Sequence, residues 1–284
     1  MVPKNNELLI SEDFYSIQCE GISTGVPSWF VRLSQCNLNC GASNKFVNEL
    51  KKDKNDYSNQ NLVGDLEKEG TASWTCDSIP VWIRGTNRPF DYLIDRWVAE
   101  GEFQNIMSGL THIIWTGGEP CLPMHQKSII NFNHYIHYLE NISIESYASM
   151  SKYKMYQEIE TNGTCYIKDK LFLMLDQINC SPKLSNSGMP ENKRIIPAVI
   201  KRITEHFNHQ FKFVISTEED IKEMFSTFIE PFQIDLKNVV CMPGLSKQED
   251  FHERTRFVLE MAKKYHFRGM TRLHISAWDQ VTGV

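Results

Sequence analysis

From residue 88 to residue 278 the chain repeats one pattern, a short apolar strand-like run followed by an amphipathic helix-like run. This limits the possible folds more than any other feature. His112–Thr116, Tyr156–Glu160, Gln210–Ile215 and Val239–Pro243 read as strands, and Arg272–Trp278 reads as a last one. Leu173–Cys180 leads into another strand end. Between them lie helical faces: Tyr92 and Trp97 within 91–100; Ile129, Phe132, Ile136 and Leu139; Ile196, Val199, Ile203 and Phe207 within 192–207; and Phe251, Val258, Met261 and Tyr265. Thr217 with Asp220, and Ser246 with Glu249, mark helix starts by capping-box spacing. Alternation of this kind predicts parallel strands covered by helices, because a parallel pair needs a crossover and a helix is the usual one. Phe14–Leu33 adds a strand, a Gly- and Pro-rich turn and a second strand. The unusual residues gather where strands end: Gly117-Gly118-Glu119-Pro120, Glu160-Thr161-Asn162-Gly163, Ser181-Pro182-Lys183 and Met242-Pro243. In barrel-like α/β folds that end carries the active site. The expected organisation is one domain over residues 1–284.

Composition narrows the function classes. A net charge of -5 gives no electrostatic reason to bind nucleic acid or an anionic membrane. No apolar run reaches the ~18 residues of a membrane span. The N-terminal residues lack the apolar core of a signal peptide, so the cytoplasm is the expected setting, where eight cysteines are not expected to form a disulfide framework.

Cys36 and Cys40 form a C-x3-C pair on the loop after the second strand, and Cys76 follows after 35 intervening residues. Thiolates suit iron-sulfur clusters and zinc, and the pair alone is equally compatible with buried core cysteines. Three thiolates would leave one iron of a four-iron cluster open to a small molecule. The segment at about 41–73 is rich in Lys, Asp and Glu. Phe46, Val47, Leu50, Leu62, Val63 and Leu66 could anchor one or two short surface helices, and the rest buries too little to offset its ordering entropy. Cys121, Cys165, Cys180 and Cys241 read as buried thiols. Alone, Glu20 and Arg32 are compatible with a structural ion pair, Gly117-Gly118 with a tight turn, and His274 with a core histidine.

The ordered motifs resemble the 7-carboxy-7-deazaguanine synthases, radical S-adenosylmethionine enzymes of queuosine and deazaguanine biosynthesis. Ser16-Ile17-Gln18-Cys19-Glu20-Gly21, Phe30-Val31-Arg32-Leu33 and Cys36-Asn37-Leu38 with Cys40 are similar to the family's S-I-Q-G-E-G, F-V-R-L and C-N-L-x-C. Cys76-Asp77-Ser78 is similar to its C-D-T, and Thr116-Gly117-Gly118-Glu119-Pro120 to T-G-G-E-P. Glu160–Thr164, Ser181–Lys183 and Arg272-Leu273-His274-Ile275 follow in order, and everything but about 41–73 is covered. The resemblance implies a partial (β/α) barrel of the radical S-adenosylmethionine type. It implies a [4Fe-4S] cluster on Cys36, Cys40 and Cys76, and Mg2+ held by the Ser78 hydroxyl. It places S-adenosylmethionine against Thr75, Asp77, Gly118, Glu119, Asn162, Ser181, Lys183 and Met242, and a pterin against Gln18, Glu20, Arg32, Thr116, His274 and the carboxylate of Val284. No catalytic side chain is implied beyond these cofactors. The activity implied is a lyase, converting 6-carboxy-5,6,7,8-tetrahydropterin to 7-carboxy-7-deazaguanine with loss of ammonia. The implied partners are a reductase or flavodoxin-like electron donor and a second copy of the chain. A glycyl-radical activating enzyme shares the cluster and G-G-E-P features, and a metal-stabilised interaction module without catalysis is the non-enzyme alternative. Cys19 departs from the family, standing at a glycine position in a turn where a free φ would be useful.

Overall fold

The structure is a computed structural model and describes residues 6–52, 72–142, 154–244, 251–278 and 283. Along the chain run β1 (Glu7–Ile17), β2 (Pro27–Leu33), α1 (Asn44–Lys52), α2 (Ile79–Trp82), β3 (Thr86–Pro89), α3 (Phe90–Ala99), α4 (Phe103–Met107), β4 (His112–Gly117) and α5 (Pro123–Ile142). There follow β5 (Gln157–Thr161), α6 (Asp169–Met174), β6 (Gln177–Cys180), α7 (Glu191–Arg194), α8 (Pro197–Thr204), β7 (His209–Ile215), α9 (Glu218–Met224) and α10 (Glu230–Phe232). The chain ends with β8 (Val239–Pro243), α11 (Phe251–Tyr265), β9 (Arg268–Gly269) and α12 (Leu273–Trp278). The strands form one nine-stranded sheet in the order β3-β1-β2-β4-β5-β6-β7-β8-β9. β1 pairs antiparallel with β2 and β3, and every pair from β2 to β9 is parallel.

Strand alternation gives the sheet two unlike faces. Outward residues such as Trp29, Val31, Trp115, Ile159, Ile178, Phe211 and Phe213 join Phe132, Ile200, Ile203, Ile221 and Val258 of the helices in one core. Trp115 and Trp97 both meet the Phe132 ring edge-on at 5.7 Å, the geometry preferred by aromatic quadrupoles. The inner face is polar. His112, Glu158, Gln177, Asn179 and Gln210 form its lower layer, joined by hydrogen bonds of 2.6 to 3.1 Å. A buried polar layer is tolerable only when its members are paired in this way.

The β1–β2 turn crosses that inner face. Gln18 Nε2 donates to Glu160 Oε1 (3.3 Å), the Ile22 N–H to Gln210 Oε1 (3.0 Å), Ser23 Oγ to Gln177 Oε1 (3.2 Å) and the Gly21 N–H to Met270 Sδ (3.1 Å). One turn thereby floors the space enclosed by β5, β6, β7 and the residue that follows β9. Positive φ within it falls on Gly21 and Gly25, not on Cys19, so the turn does not need glycine at position 19.

Two sequence expectations change. The helix expected over 192–207 is broken between α7 and α8. Ile196 precedes Pro197 and takes an extended conformation (φ -119°, ψ 93°), as the proline ring demands, and Pro197 then starts a new helix. Phe207 lies beyond the end of α8 and is 81% exposed. The final strand expected over Arg272–Trp278 is instead α12. The place beside β8 is taken by Arg268 and Gly269, after which the chain leaves the sheet, and Ile275 packs with Phe251 under the last helix. Alternation over so few residues fits either conformation. The Thr217–Asp220 capping box is present at the start of α9; Ser246 and Glu249 lie outside the described residues.

Candidate active site

The strand ends, the β1–β2 turn and the cysteine loop surround one cavity of about 260 Å³. At one end lie Cys36, Cys40 and Cys76. The intervening segment leaves and returns at a single place: the Cys76 N–H donates to the Cys40 carbonyl (3.0 Å), and Thr75 Oγ1 to the Gly41 carbonyl (3.3 Å). Gly41 has φ +73°, and a Cβ there would stand 2.0 Å from the Trp74 carbonyl oxygen, so the crossing requires glycine. Sequence distance between the second and third thiols is thus erased by two chain segments in contact. Val47 and Leu50 of α1 pack with Ile79 and Trp82 of α2, giving the first part of the 41–73 segment a small core of its own. Residues 53–71 lie outside the described residues.

Burial raises all three thiols above the ordinary range. For Cys36 the Glu119 charge adds to burial, and Cys76 is pushed up to about 12 by burial and by Asp77. The thiols therefore stay protonated until positive charge reaches them. Among the described residues no group of three or more His, Cys, Asp or Glu side chains is gathered tightly enough for a single metal ion. Zinc would need sulfurs converging to ~2.3 Å from one point, whereas a cluster takes each thiolate on a separate iron. Three thiols around a shared cavity suit the cluster. Asn162 Nδ2 approaches Cys36 Sγ at 3.9 Å and donates to Asn37 Oδ1 at 2.9 Å.

The walls on this side come from the other strand ends. Gly117 and Gly118 follow β4, and a Cβ on Gly118 would stand 1.8 Å from the Gln35 carbonyl oxygen; a side chain there would push the cysteine loop away. Glu119 sits behind that wall. It is fully buried and accepts from the Cys121 N–H, Thr161 Oγ1 and the Asn162 N–H, each at 2.8 Å. Its carboxylate ties the β4 end to the β5 end and does not line the cavity; burial raises its pKa, against those donors. Ser181, Lys183, Thr75 and Met242 do line it. Lys183 Nζ donates to Ser181 Oγ (2.9 Å) and lies 5.6 Å from the Trp74 ring, so its charge has neutral neighbours there. Ser78 Oγ donates to Asp77 Oδ1 (3.2 Å) and does not cap α2, which leaves its hydroxyl at the cavity edge.

At the other end the inner sheet face supplies charge. Lys212, 3% exposed, donates to Glu160 Oε1 (3.0 Å) and Glu20 Oε2 (3.2 Å). Thr116 Oγ1 donates to Glu160 Oε2 (2.9 Å). Arg272 joins Glu20 Oε1 (3.1 Å) to Asp77 Oδ2 (2.5 Å). Burial would raise the Glu20 pKa, but Lys212 and Arg272 outweigh it and hold the carboxyl well below its usual range. Asp77 is depressed likewise, burial being outweighed by Arg272. His274 is shifted down by burial and by Arg272, which favours the neutral ring. Glu20 and Arg32 are not paired with each other, as they could have been: Arg32 Nη1 bonds Glu12 Oε1 at 2.7 Å, which is closer along the β1–β2 register. Gly283 lines the cavity near Glu12; Val284 lies outside the described residues.

No family model matches the chain. Curated relatives do. A 7-carboxy-7-deazaguanine synthase of Halobacterium salinarum is 25% identical over 96% of this chain and 91% of its own length. One from Pyrobaculum aerophilum is 25% identical over 96% of both chains. Over nearly its whole length the chain is similar to proteins named 7-carboxy-7-deazaguanine synthase. The crystal structure of QueE from Escherichia coli covers 92% of each chain with a TM-score of 0.53 at 19% identity, which places the fold with the partial barrel of that enzyme.

Of the residues that resemblance to the synthases singled out, the cavity brings together all but Glu119, which acts from behind its wall, and Val284. Three further charged residues were not singled out. Lys212 and Glu160 leave a trace in the sequence as charged residues within apolar strand runs, where the inner face of a barrel is the natural place for them. Arg272 stands at the head of a motif that carries the resemblance, but its role was not assigned, because it depends on two partners remote in sequence.

Proposed function

We propose that this protein is a 7-carboxy-7-deazaguanine synthase, a lyase that converts 6-carboxy-5,6,7,8-tetrahydropterin to 7-carboxy-7-deazaguanine with loss of ammonia. The observation that carries the reading is the joining of Cys36, Cys40 and Cys76 in one cavity with the inner-face charges, in a chain similar to such synthases over nearly its whole length. When bound and reduced by an external electron donor, a [4Fe-4S] cluster with S-adenosylmethionine would supply radical hydrogen-abstraction chemistry at the substrate. The protein's part is to bind, orient and exclude water. Cys36, Cys40 and Cys76 hold the cluster. Thr75, Asp77, Gly118, Asn162, Ser181, Lys183 and Met242 bound the cofactor space, with Lys183 the cation for its carboxylate, and Glu119 fixes two of those walls from behind. Gln18, Glu20, Thr116 and His274 face the pterin. An ionised Glu20 suits the paired N–H donors of a pterin edge, and Gln18 offers both donor and acceptor. Arg32, with the carboxylate of Val284, completes the substrate end, and Ser78 offers its hydroxyl to Mg2+.

A cytoplasmic setting, a flavodoxin-like or reductase electron donor and a homodimer belong to the same reading. Among the described residues no helix is long and apolar enough to cross a membrane. The test is anaerobic reconstitution, reduction and incubation with S-adenosylmethionine and 6-carboxytetrahydropterin, followed by mass analysis. The ring-contracted product with S-adenosylmethionine regenerated is expected. Cleavage of S-adenosylmethionine without consumption of the pterin would overturn the substrate.

A further inference from the structure

The substrate end and the cofactor end of the cavity are built on separate loops, residues 18–20 after β1 and residues 75–78 before α2. Among the described residues, the hydrogen bonds of these two loops meet at one side chain, Arg272. Its Nε donates to Glu20 Oε1 at 3.1 Å and its Nη2 to Asp77 Oδ2 at 2.5 Å. A planar guanidinium presents its donors in a rigid fork and so fixes the directions of two carboxylates, whereas the donors of an ammonium rotate. Its own backbone is anchored on both sides, by the Met270 N–H to the Cys241 carbonyl (3.0 Å) and by the Leu273 N–H to the Cys19 carbonyl (3.3 Å). Beyond Glu20 the chain of charges continues through Lys212 to Glu160.

We infer that Arg272 couples the two ends, so that a pterin bound at Glu20 tightens the binding of S-adenosylmethionine beside Asp77, and the reverse. This rests on the function proposed above. An ionised carboxylate offers about four acceptor directions. Arg272 and Lys212 take two at Glu20, so pterin N–H donors can share the carboxylate without displacing either cation. Sharing draws charge away from the Glu20–Arg272 pair, and the guanidinium then bonds Asp77 more strongly. That steadies residues 75–78, which carry Thr75 and the Cys76 thiol. Linkage makes the effect reciprocal: each ligand changes the affinity of the other by one common factor. Arg272 is thus a positioning residue. Neutral His274 nearby carries no charge to take its place.

The experiment is calorimetric titration of the anaerobically reconstituted protein with S-adenosylmethionine, with and without saturating 6-carboxypterin, the oxidised and unreactive form of the substrate. The expected result is affinity at least about fivefold tighter with the pterin present, the low end of ordinary coupling. The reverse titration should give the same factor. In Arg272→Met, and in Arg272→Lys should the first variant fail to fold, the factor should fall to within about twofold of unity whatever the separate affinities become. A factor near one in the wild type, or an unchanged factor in the variants, overturns the coupling alone. Binding of S-adenosylmethionine with none of the pterin overturns the substrate assignment and the coupling with it.

Discussion

Lys212→Met removes the ammonium that stands between Glu20 and Glu160, at 3.2 and 3.0 Å. Lys212 is 3% exposed, while the two carboxylates keep 17% and 23% of their exposure, so solvent relieves part of the loss. Deleting one member of a buried ion pair costs about 3–5 kcal/mol, because the other charge is left without its partner. Here Glu20 retains Arg272, and Glu160 retains Thr116 and Gln18, which places the expected loss near the lower end, about 3 kcal/mol. At roughly 2 °C per kcal/mol for a chain of this size, the melting temperature should fall by roughly 6 °C. Thermal and urea unfolding of wild type and variant, followed by circular dichroism in the same cofactor state, measures this. The pH dependence gives a second check. The Glu20 pKa lies below its ordinary 4.5 in the fold, so its contribution is fully present above that value and is lost as pH falls through the folded pKa. Without Lys212 the Glu20 carboxylate takes up its proton more readily, so the deficit of the variant should shrink on acidification below about pH 4.5. A loss under about 1 kcal/mol at neutral pH, as for a solvent-screened pair, would refute the reasoning, as would a deficit that grows in acid.

Gly118→Ala would place a methyl group 1.8 Å from the Gln35 carbonyl, and moving the cysteine loop to relieve it should cost on the order of 1–3 kcal/mol in urea unfolding and weaken cluster retention. Cys19→Gly removes a thiol that donates to the Ile17 carbonyl (3.1 Å) and frees the backbone whose Cys19 carbonyl accepts from the Leu273 N–H (3.3 Å), so amide exchange over 272–278 should quicken roughly tenfold, the equivalent of about 1.4 kcal/mol; unchanged exchange would show that the Cys19 side chain does not help to hold α12.

Much of the fold was legible because strand and helix periods are local properties. β4, β5, β7, β8 and α11 stand where alternation put them, and the Thr217 cap starts its helix. Errors arose where a local pattern has two solutions. Pro197 broke a helix whose apolar spacing ran through it, and six alternating residues at 273–278 wound into a helix once Arg268 and Gly269 had filled the sheet edge. The cavity was legible as motifs and not as contacts. Cys76 could be joined to Cys36 and Cys40 by the residues that follow it, yet the turn at Gly41 that brings it there involves residues remote in sequence. The same holds for Glu119, whose carboxylate faces the β5 end, and for Glu20, whose cations come from β7 and from the segment before α12. Which of several carboxylates meets which cation is decided by tertiary register.

The most direct measurement compares wild type with Cys76→Ala and with Cys241→Ala, a buried thiol that does not line the cavity and packs against Met224 of α9. Each is reconstituted anaerobically with iron and sulfide, and the reduced forms are examined by electron paramagnetic resonance with and without S-adenosylmethionine. Wild type and Cys241→Ala should show a cluster signal that changes when S-adenosylmethionine binds, and Cys76→Ala should show none. A Cys76→Ala protein that keeps the wild-type cluster and its response to S-adenosylmethionine would contradict a cluster held across the 41–73 segment.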